Sequence, residues 1–258
     1  MNVVEGSEGM IKLYEDERFD YLLNDSTMKI IQSPSIFSYS LDSVLLASFT
    51  YMPIKKGHIL DLCTGNGVIP LLLSKRTYGQ ITGVEIQGRL AHMAKRSVEI
   101  NKLDDQITII NEDLKKLDGI IEQSKFDVIT CNPPYFPTLA KTEYNKNKYL
   151  TIARHEVCCT LEDVVKASKL YVKPGGKVSL VHRPERLVDI ITLFRKYRIE
   201  PKRLRFVYPK KERKANTLLI EGTRDGNPGL KILDPLYIYD DHDVYTKEAK
   251  HIIYGSKN

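Results

Sequence analysis

Apolar and polar positions follow two periods along the middle of the chain, and their order is typical of an α/β fold. Short apolar runs bounded by polar or glycine-rich turns predict buried strands at 58–62, 80–85, 106–110, 126–129 and 177–181. Stretches with apolar residues three or four positions apart predict helices at 68–73, 89–101, 160–172 and 186–196. This alternation favours one mostly parallel sheet with helices on both faces.

The two ends of the chain carry weaker patterns. Residues 18–23 and 28–32 flank a polar turn and predict a hairpin, and a helix with Ser40 as its N-cap follows. Asp42 suits the positive end of that helix's dipole. Residues 204–208 and 217–221 predict a last antiparallel pair of strands. Residues 1–12 show no periodic signal, and the tail after residue 222 contains only short apolar pieces.

Composition places the chain among ordinary globular proteins. Its 258 residues are 42% hydrophobic and 28% charged, enough for one large core. No apolar run approaches the roughly 20 residues that span a membrane, and the N-terminus is too acidic for a signal peptide. The cysteines form no pair of CxxC motifs, so reduced thiols are expected and zinc is not; they are Cys63, Cys131, Cys158 and Cys159. We expect a cytoplasmic protein without a metal.

Positive charge is concentrated in one segment. The net charge is +6, but residues 195–214 alone hold ten basic residues against two acidic ones. Such a run is often a solvated face, and here Tyr197, Phe206 and Tyr208 are interleaved with it. The alternative is a flank that binds a polyanion, with the turn residues Lys210, Lys211, Arg213 and Lys214 as its candidate contacts.

A glycine turn connects the first predicted strand of the sheet to its helix. The strand contains Asp61 and runs into Gly65-Asn66-Gly67. Glycines allow positive φ and leave no Cβ, so the backbone can approach a ligand at the N-terminus of the helix. The turn lacks the third glycine of the dinucleotide-binding fingerprint. It predicts a ligand-binding loop of another kind.

Acidic side chains follow the next two strands. Glu85 ends the second strand about 20 residues beyond the glycines, where an acid can accept both hydroxyls of a ribose. Asp113 follows the third strand, within reach of an adenine amine in this arrangement. An acid in a solvated loop is the alternative interpretation of Asp113.

The fourth strand ends in Asn132-Pro133-Pro134-Tyr135. The two prolines end regular strand pairing because they lack an N–H. The Asn132 oxygen and the Pro133 carbonyl can accept hydrogen bonds from a planar amine, and the Tyr135 ring can stack on its plane. A tight turn capped by the asparagine is the alternative. Parallel strands bring their carboxyl ends to one edge, so four polar strand ends favour a shared site.

At residues 61–67 and 132–135 the chain resembles the class I S-adenosylmethionine-dependent methyltransferases, and at 132–135 their amino-methylating branch. The resemblance covers roughly 35–222 and implies a Rossmann-like fold, with a mostly parallel seven-stranded sheet and a C-terminal antiparallel hairpin. The amine would be held by Asn132, Pro133 and Tyr135. The cofactor residues it implies are Asp61, Gly65, Asn66, Gly67, Glu85, Ile86, Asp113, Leu114 and Asn132. Cys63 departs from the pattern, since many relatives have glycine there.

Within this family the segments 37–47 and 245–248 are most similar to bacterial tRNA(Val) adenosine N6-methyltransferases. That similarity implies a tRNA substrate, modified beside the anticodon. The residues alone imply only an amine and a basic flank. The implied organisation is a hairpin and helix at 1–50 covering the site, a core at 51–222 and a tail at 223–258 packed on it. A mobile loop is expected at 138–149 beside the site.

Other substrates share the same amine clamp. Guanine N2-methylation of ribosomal RNA fits these residues as well. Methylation of a release-factor glutamine usually comes with a helical N-terminal domain, whereas a hairpin is predicted here. DNA adenine methyltransferases carry a large recognition region, for which this chain has no room. A module that binds cofactor or RNA without activity is the alternative from another class, and the intact Asn132-to-Tyr135 motif argues against it.

Overall fold

The computed structural model describes residues 3–5, 9–23, 25–36, 38–52, 55–135 and 156–255. The loop expected at 138–149 lies outside these residues. The strands are β1 Val3–Glu5, β2 Met10–Lys12, β3 Arg18–Leu22, β4 Asp25–Gln32, β5 His58–Leu62, β6 Gln80–Glu85, β7 Ile107–Asn111, β8 Phe126–Cys131, β9 Val172–His182, β10 Ile199–Tyr208, β11 Thr217–Arg224, β12 Lys231–Ile232 and β13 Leu236–Tyr237. The helices are α1 Leu41–Phe49, α2 Val68–Ser74, α3 Gly88–Ile100, α4 Leu161–Tyr171, α5 Leu187–Lys196 and α6 Lys247–Tyr254.

Most of these strands form one sheet. In the described part of the chain its order is β12-β10-β11-β9-β8-β5-β6-β7, and β13 also pairs with β10. Strands β5 to β9 run parallel. Strand β11 is antiparallel to both β9 and β10. The seven-stranded sheet with its antiparallel C-terminal hairpin is therefore confirmed, and the two-residue strands β12 and β13 extend it.

Both faces of the sheet are covered, because successive strand residues enter different apolar clusters. Ile59 packs in a cluster with α1, α2, α3 and α6, whereas its neighbour Leu60 packs in a second cluster with α4 and α5. Side chains alternate between the faces of a strand, and a strand buried on both faces is apolar throughout. This explains the continuous apolar runs in the sequence and confirms helices on both faces.

The predicted N-terminal hairpin is present as β3 and β4, and it packs on α3. An ion-pair cluster connects the residues just before β3 to α3. Glu17 accepts hydrogen bonds from both terminal nitrogens of Arg96, each at 2.7 Å, and its side chain is fully buried. Arg89 contacts Asp16 at 2.7 Å and Glu17 at 3.0 Å. The additional β1–β2 pair has no periodic signal in the sequence and was not predicted.

The tail adds two short strands and one helix to the core. Helix α6, which the sequence did not predict, begins at the N-cap Thr246 and packs on α1 through the buried Ala249 and Ile253. Capping by Thr246 Oγ1, which accepts from the Ala249 N–H, fixes its first turn. None of the helices described is long and apolar enough to cross a bilayer.

Candidate active site

A cavity of about 650 Å³ lies at the carboxyl ends of β5, β6, β7 and β8. Its size is within the range of ligand sites, and an α/β sheet binds ligands at this edge. The start of α1 closes one side. The polar and turn residues in its wall are Ser38, Ser40, Asp42, Ser43, Cys63, Thr64, Gly65, Glu85, Gln87, Glu112, Asp113, Asn132, Tyr135 and Arg183. The four strand ends singled out from the sequence therefore meet in one place.

The two glycines of the turn have different roles. Gly65 has a φ of 59°, lines the cavity and donates its N–H to Glu85 Oε2 at 2.9 Å. Gly67 has a φ of 88° and is the N-cap of α2. A Cβ on Gly67 would lie 3.1 Å from the Ala94 Cβ, so its missing side chain allows α2 and α3 to pack closely. Gly65 approaches the cavity as expected, and Gly67 faces a helix instead.

Asp61 and Asn66 lie behind the cavity wall. Asp61 is fully buried and accepts hydrogen bonds from Thr64 Oγ1 and Thr130 Oγ1, both at 2.6 Å. Burial raises the pKa of Asp61 to about 7. Asn66 donates from Nδ2 to the Ile31 carbonyl at 3.0 Å and so connects the turn to the hairpin. Asn66 Oδ1 is buried and has no partner among the described residues. Direct contact of Asp61, Asn66 and Gly67 with a ligand stays a prediction, since none of the three lines the cavity.

Glu85 is held from both sides at the end of β6. Its Oε2 accepts the Gly65 N–H and its Oε1 accepts the Gln87 N–H at 2.9 Å. Each carboxylate oxygen keeps a further lone pair for a ligand hydroxyl. Burial raises the pKa of Glu85 above its ordinary value. The next residue, Ile86, is 40% exposed and presents an apolar surface to the cavity.

The end of β7 contributes one acid and one apolar side chain. Asp113 lines the cavity and also accepts the Lys115 N–H at 2.9 Å, which caps a short 3-10 turn. Its side chain is 15% exposed, so it is not a freely solvated loop acid. Leu114 follows in the wall and is buried. Both residues therefore lie in the cavity wall, and their contact with a cofactor stays a prediction.

The asparagine of the Asn132-to-Tyr135 motif is oriented by its neighbours. Asn132 donates from Nδ2 to Ser43 Oγ at 3.0 Å, and its Oδ1 lies 2.7 Å from the Tyr135 hydroxyl. The same hydroxyl lies 2.9 Å from Asp42 Oδ2. Burial first, and then the Asp42 carboxylate, raise the pKa of Tyr135 well above its usual range, so the hydroxyl is a donor. Pro133 and Pro134 are buried in the wall.

Two side chains of this corner have partners that their positions in the sequence do not indicate. Asp42 suited the helix dipole, but its Oδ1 accepts from Thr217 Oγ1 at 3.1 Å, in addition to its contact with Tyr135. Arg183 places its guanidinium 5.0 Å from the centre of the Tyr135 ring and donates to the Asn216 carbonyl at 2.6 Å. The turn between β10 and β11 is thereby attached to the cavity mouth.

The basic segment 195–214 divides into paired and unpaired residues. Six of its side chains contact acids in the described structure, namely Arg195, Lys196, Arg198, Arg203, Arg205 and Lys210. Lys210 lies 2.6 Å from Asp243. Lys211, Arg213 and Lys214 are exposed, and no ion pair is found for them among the described residues. The tenth basic residue, Lys202, donates to the Asn227 carbonyl at 3.1 Å and also has no acid partner among the described residues. The exposed cations without an acid partner are therefore in the β10–β11 turn.

Gln87 is a wall residue that the sequence analysis missed. It is 8% exposed, and its Oε1 is a buried acceptor with no partner in the described part of the protein. It follows Glu85 by two positions. A polar residue so soon after the acid at the strand end could have indicated a second residue of the cavity wall. The described residues contain no cluster of three or more His, Cys, Asp or Glu side chains able to hold a metal ion.

Comparison with known proteins gives a consistent family. Residues 27–206 match the model of the methyltransferase small domain. A tRNA1(Val) (adenine(37)-N6)-methyltransferase of Porphyromonas gingivalis is 29% identical over 167 residues, which are 64% of this chain and 64% of that protein. The match therefore spans just under two thirds of that relative. A protein of the same name from Flavobacterium psychrophilum is 27% identical over 223 residues, which are 84% of this chain and 91% of that protein.

The fold has counterparts among solved structures. A predicted O-methyltransferase of Agrobacterium tumefaciens superposes with a TM-score of 0.67 at 20% identity. The superposition covers 83% of this chain and 96% of that one. At this identity the likeness shows the Rossmann-like methyltransferase fold.

Proposed function

Since the chain belongs to the methyltransferase small domain family, we propose that it transfers a methyl group from S-adenosylmethionine to N6 of an adenosine in tRNA. The observation that carries the proposal is the position of Asn132, which lines the same cavity as Glu85 and Asp113. An amine clamp and a set of nucleoside acceptors thus face one space. The names of the similar proteins from Porphyromonas gingivalis and Flavobacterium psychrophilum support adenosine 37 of tRNA1(Val) as the target.

The wall residues fit the proposed cofactor. Glu85 would accept the ribose hydroxyls, and the unpaired Oε1 of Gln87 offers a further acceptor beside it. Asp113 would accept the adenine amine, with the base between the apolar Ile86 and Leu114. When bound, S-adenosylmethionine supplies a methyl group activated by its sulfonium.

The glycine turn would hold the methionine part of the cofactor. Gly65 lines the cavity at the N-terminus of α2, where the backbone can approach a ligand. We propose that Asp61, Asn66 and Gly67 contribute by fixing this turn from behind. The Thr64 and Thr130 hydroxyls donate to Asp61, and Asn66 Nδ2 donates to the Ile31 carbonyl. These hydrogen bonds hold the turn in place.

The chain's own catalytic work would be done by the clamp. Asn132 Oδ1 and the Pro133 carbonyl would accept the two hydrogens of the amine and draw its nitrogen toward tetrahedral geometry. Such preorganised polar groups are typically worth about 3 kcal/mol each in the transition state. Stacking on Tyr135 would add roughly 1–3 kcal/mol per base. Alignment of the amine with the methyl group supplies a further part of the acceleration.

A tRNA loop fits the surroundings of the cavity. A loop adenosine is easier to extrude than a paired one, for which unstacking costs a few kcal/mol. Lys211, Arg213 and Lys214 lie in the turn attached to the cavity mouth and would contact the RNA phosphates. Lys210 would contribute less, because Asp243 already neutralises it. A tRNA substrate also agrees with the cytoplasmic location expected from the sequence.

The test is a methyl-transfer assay with identification of the product. The protein is incubated with methyl-labelled S-adenosylmethionine and, in separate reactions, total tRNA, ribosomal RNA or a release factor. The RNA is digested to nucleosides and the release factor to peptides. We expect label in N6-methyladenosine, no label with the Asn132→Ala variant, and no label in tRNA1(Val) that carries guanosine at position 37. Label in N2-methylguanosine of ribosomal RNA, or in a release-factor glutamine, would refute the proposed substrate. RNA binding without transfer would refute the proposed activity.

A further inference from the structure

We infer that Asp42 is a positioning residue that takes over the Tyr135 hydroxyl hydrogen and so leaves Asn132 Oδ1 free to accept the substrate amine. The inference rests on the proposed function, because it concerns how the clamp is prepared for that amine. It assigns a role to the first turn of α1, which lies outside the predicted core at 51–222.

The reason is a competition for one hydrogen. A tyrosine hydroxyl donates a single hydrogen bond, yet the Tyr135 oxygen lies 2.7 Å from Asn132 Oδ1 and 2.9 Å from Asp42 Oδ2. If the hydrogen points to Asn132, it uses one of the two lone pairs of Oδ1 and makes that oxygen a weaker acceptor for the substrate amine. If it points to Asp42, both lone pairs of Asn132 Oδ1 are available to the amine. A carboxylate is a stronger acceptor than an amide oxygen, so Asp42 can hold the hydrogen while the amine occupies Asn132.

The neighbouring contacts keep the three groups in this arrangement. Thr217 Oγ1 donates to Asp42 Oδ1 at 3.1 Å, so the other carboxylate oxygen faces Tyr135. Ser43 accepts from Asn132 Nδ2 and thereby fixes which side of the amide carries the oxygen. Asp42 and Ser43 are neighbours in the first turn of α1. One helical turn therefore orients both the asparagine and the tyrosine of the clamp.

A role in helix capping alone does not account for these contacts. Ser40, and not Asp42, is the N-cap of α1, and no side chain caps that helix end by a hydrogen bond. Both oxygens of Asp42 instead contact residues far along the chain, Tyr135 and Thr217. A capping role predicts a loss of stability on substitution, whereas the positioning role predicts a loss of turnover that depends on Tyr135.

The test is a double-mutant cycle with Asp42→Asn, Tyr135→Phe and the combined variant, measured as methyl transfer to tRNA. In Asp42→Asn, the new amide is a weaker hydrogen-bond acceptor than the carboxylate. The Tyr135 hydrogen therefore stays on Asn132. We expect kcat to fall by about three- to tenfold, as for one weakened hydrogen bond in the transition state, with the cofactor KM within about twofold of wild type. Tyr135→Phe removes the competing hydrogen and should lose less.

The decisive result is the combined variant. Because phenylalanine has no hydroxyl, we expect Asp42→Asn/Tyr135→Phe to recover to the level of Tyr135→Phe alone. Asp118→Asn is the matched control, since it makes the same charge change at an exposed acid outside the cavity wall. Thermal unfolding of each variant separates misfolding from lost turnover.

Failure of the inference differs from failure of the proposed function. If the wild-type protein methylates no adenosine in tRNA, the proposed function is wrong. If the wild type is active and the combined variant is no better than Asp42→Asn, the inference is overturned. Wild-type kcat in Asp42→Asn would overturn it as well.

Discussion

Reversing the charge of the unpaired cations in the β10–β11 turn is the sharpest test of the proposed RNA contact. The variant is Lys211→Glu, Arg213→Glu and Lys214→Glu combined. These side chains are exposed, and no acid pairs with them in the described structure. Their turn is attached to the cavity mouth, because Arg183 donates to the Asn216 carbonyl at 2.6 Å. They should therefore contact phosphates next to the nucleotide that enters the cavity.

The size of the effect follows from the number of contacts. Each phosphate neutralised by a cation releases counterions and contributes about 0.7 for single strands, or 0.9 for duplex, to the slope of log K against log salt. Loss of all three contacts should make that slope shallower by about 2 to 3. Affinity for tRNA should fall most at low salt. Fluorescence anisotropy of labelled tRNA over a range of salt concentrations measures both quantities.

A matched control exists in the same basic segment. Arg195, Lys196 and Arg198 are exposed, but each contacts an acid, and they lie at the opposite end of β10 from the turn. Their combined change to glutamate makes the same charge difference away from the cavity. We expect a clearly smaller change of slope. Equal changes in both variants, or an unchanged slope in the turn variant, would refute a specific RNA contact by the turn.

Three further predictions concern the cavity and the core. Asn132→Ala should abolish methyl transfer and leave the affinity for S-adenosylhomocysteine within about twofold by calorimetry, since only the amine loses an acceptor. Burial raises the pKa of Asp61 to about 7, so the folded state binds its proton more tightly than the unfolded chain between about pH 4 and 7. The free energy of unfolding in urea should fall as pH rises through this window, by up to about 4 kcal/mol. In Asp61→Asn this dependence of the free energy on pH should be weaker. An unchanged pH dependence in the variant would exclude Asp61 as its source. Arg96→Met should cost up to roughly 3–5 kcal/mol in the same assay, because Glu17 stays buried with Arg89 as its remaining cationic partner, and adding Glu17→Gln should restore part of the loss.

The parallel core was predictable because its signals are local. Each strand is a short apolar run, and the next polar residues in sequence are those that end the strand. Glu85, Asp113 and Asn132 could therefore be placed at one edge before any contact was known. The right-handed connection of parallel strands then determines that the ends meet.

Other parts of the site depend on distant packing that no local pattern reveals. The role of Gly67 could be seen only once α3 was in place, since the nearest atom to a Cβ there belongs to Ala94. Likewise, the charge density of 195–214 did not show that most of its side chains have acidic partners, such as Asp243 for Lys210 and Glu248 for Arg205. The unpredicted helix α6 is short and gains its stability from packing on α1.

Asp42 shows most clearly why an adequate local explanation can be incomplete. Its place in the first turn of α1 accounts for an acid there, yet its hydrogen-bond partners Tyr135 and Thr217 are 93 and 175 residues away in sequence. Asp42 and Ser43 of the N-terminal segment contact the side chains of Tyr135 and Asn132 directly. The domain boundary expected between residues 50 and 51 stays a prediction. For the chemistry, however, the segment before it and the strand ends after it form one site, because Asn132 takes its orientation from Ser43.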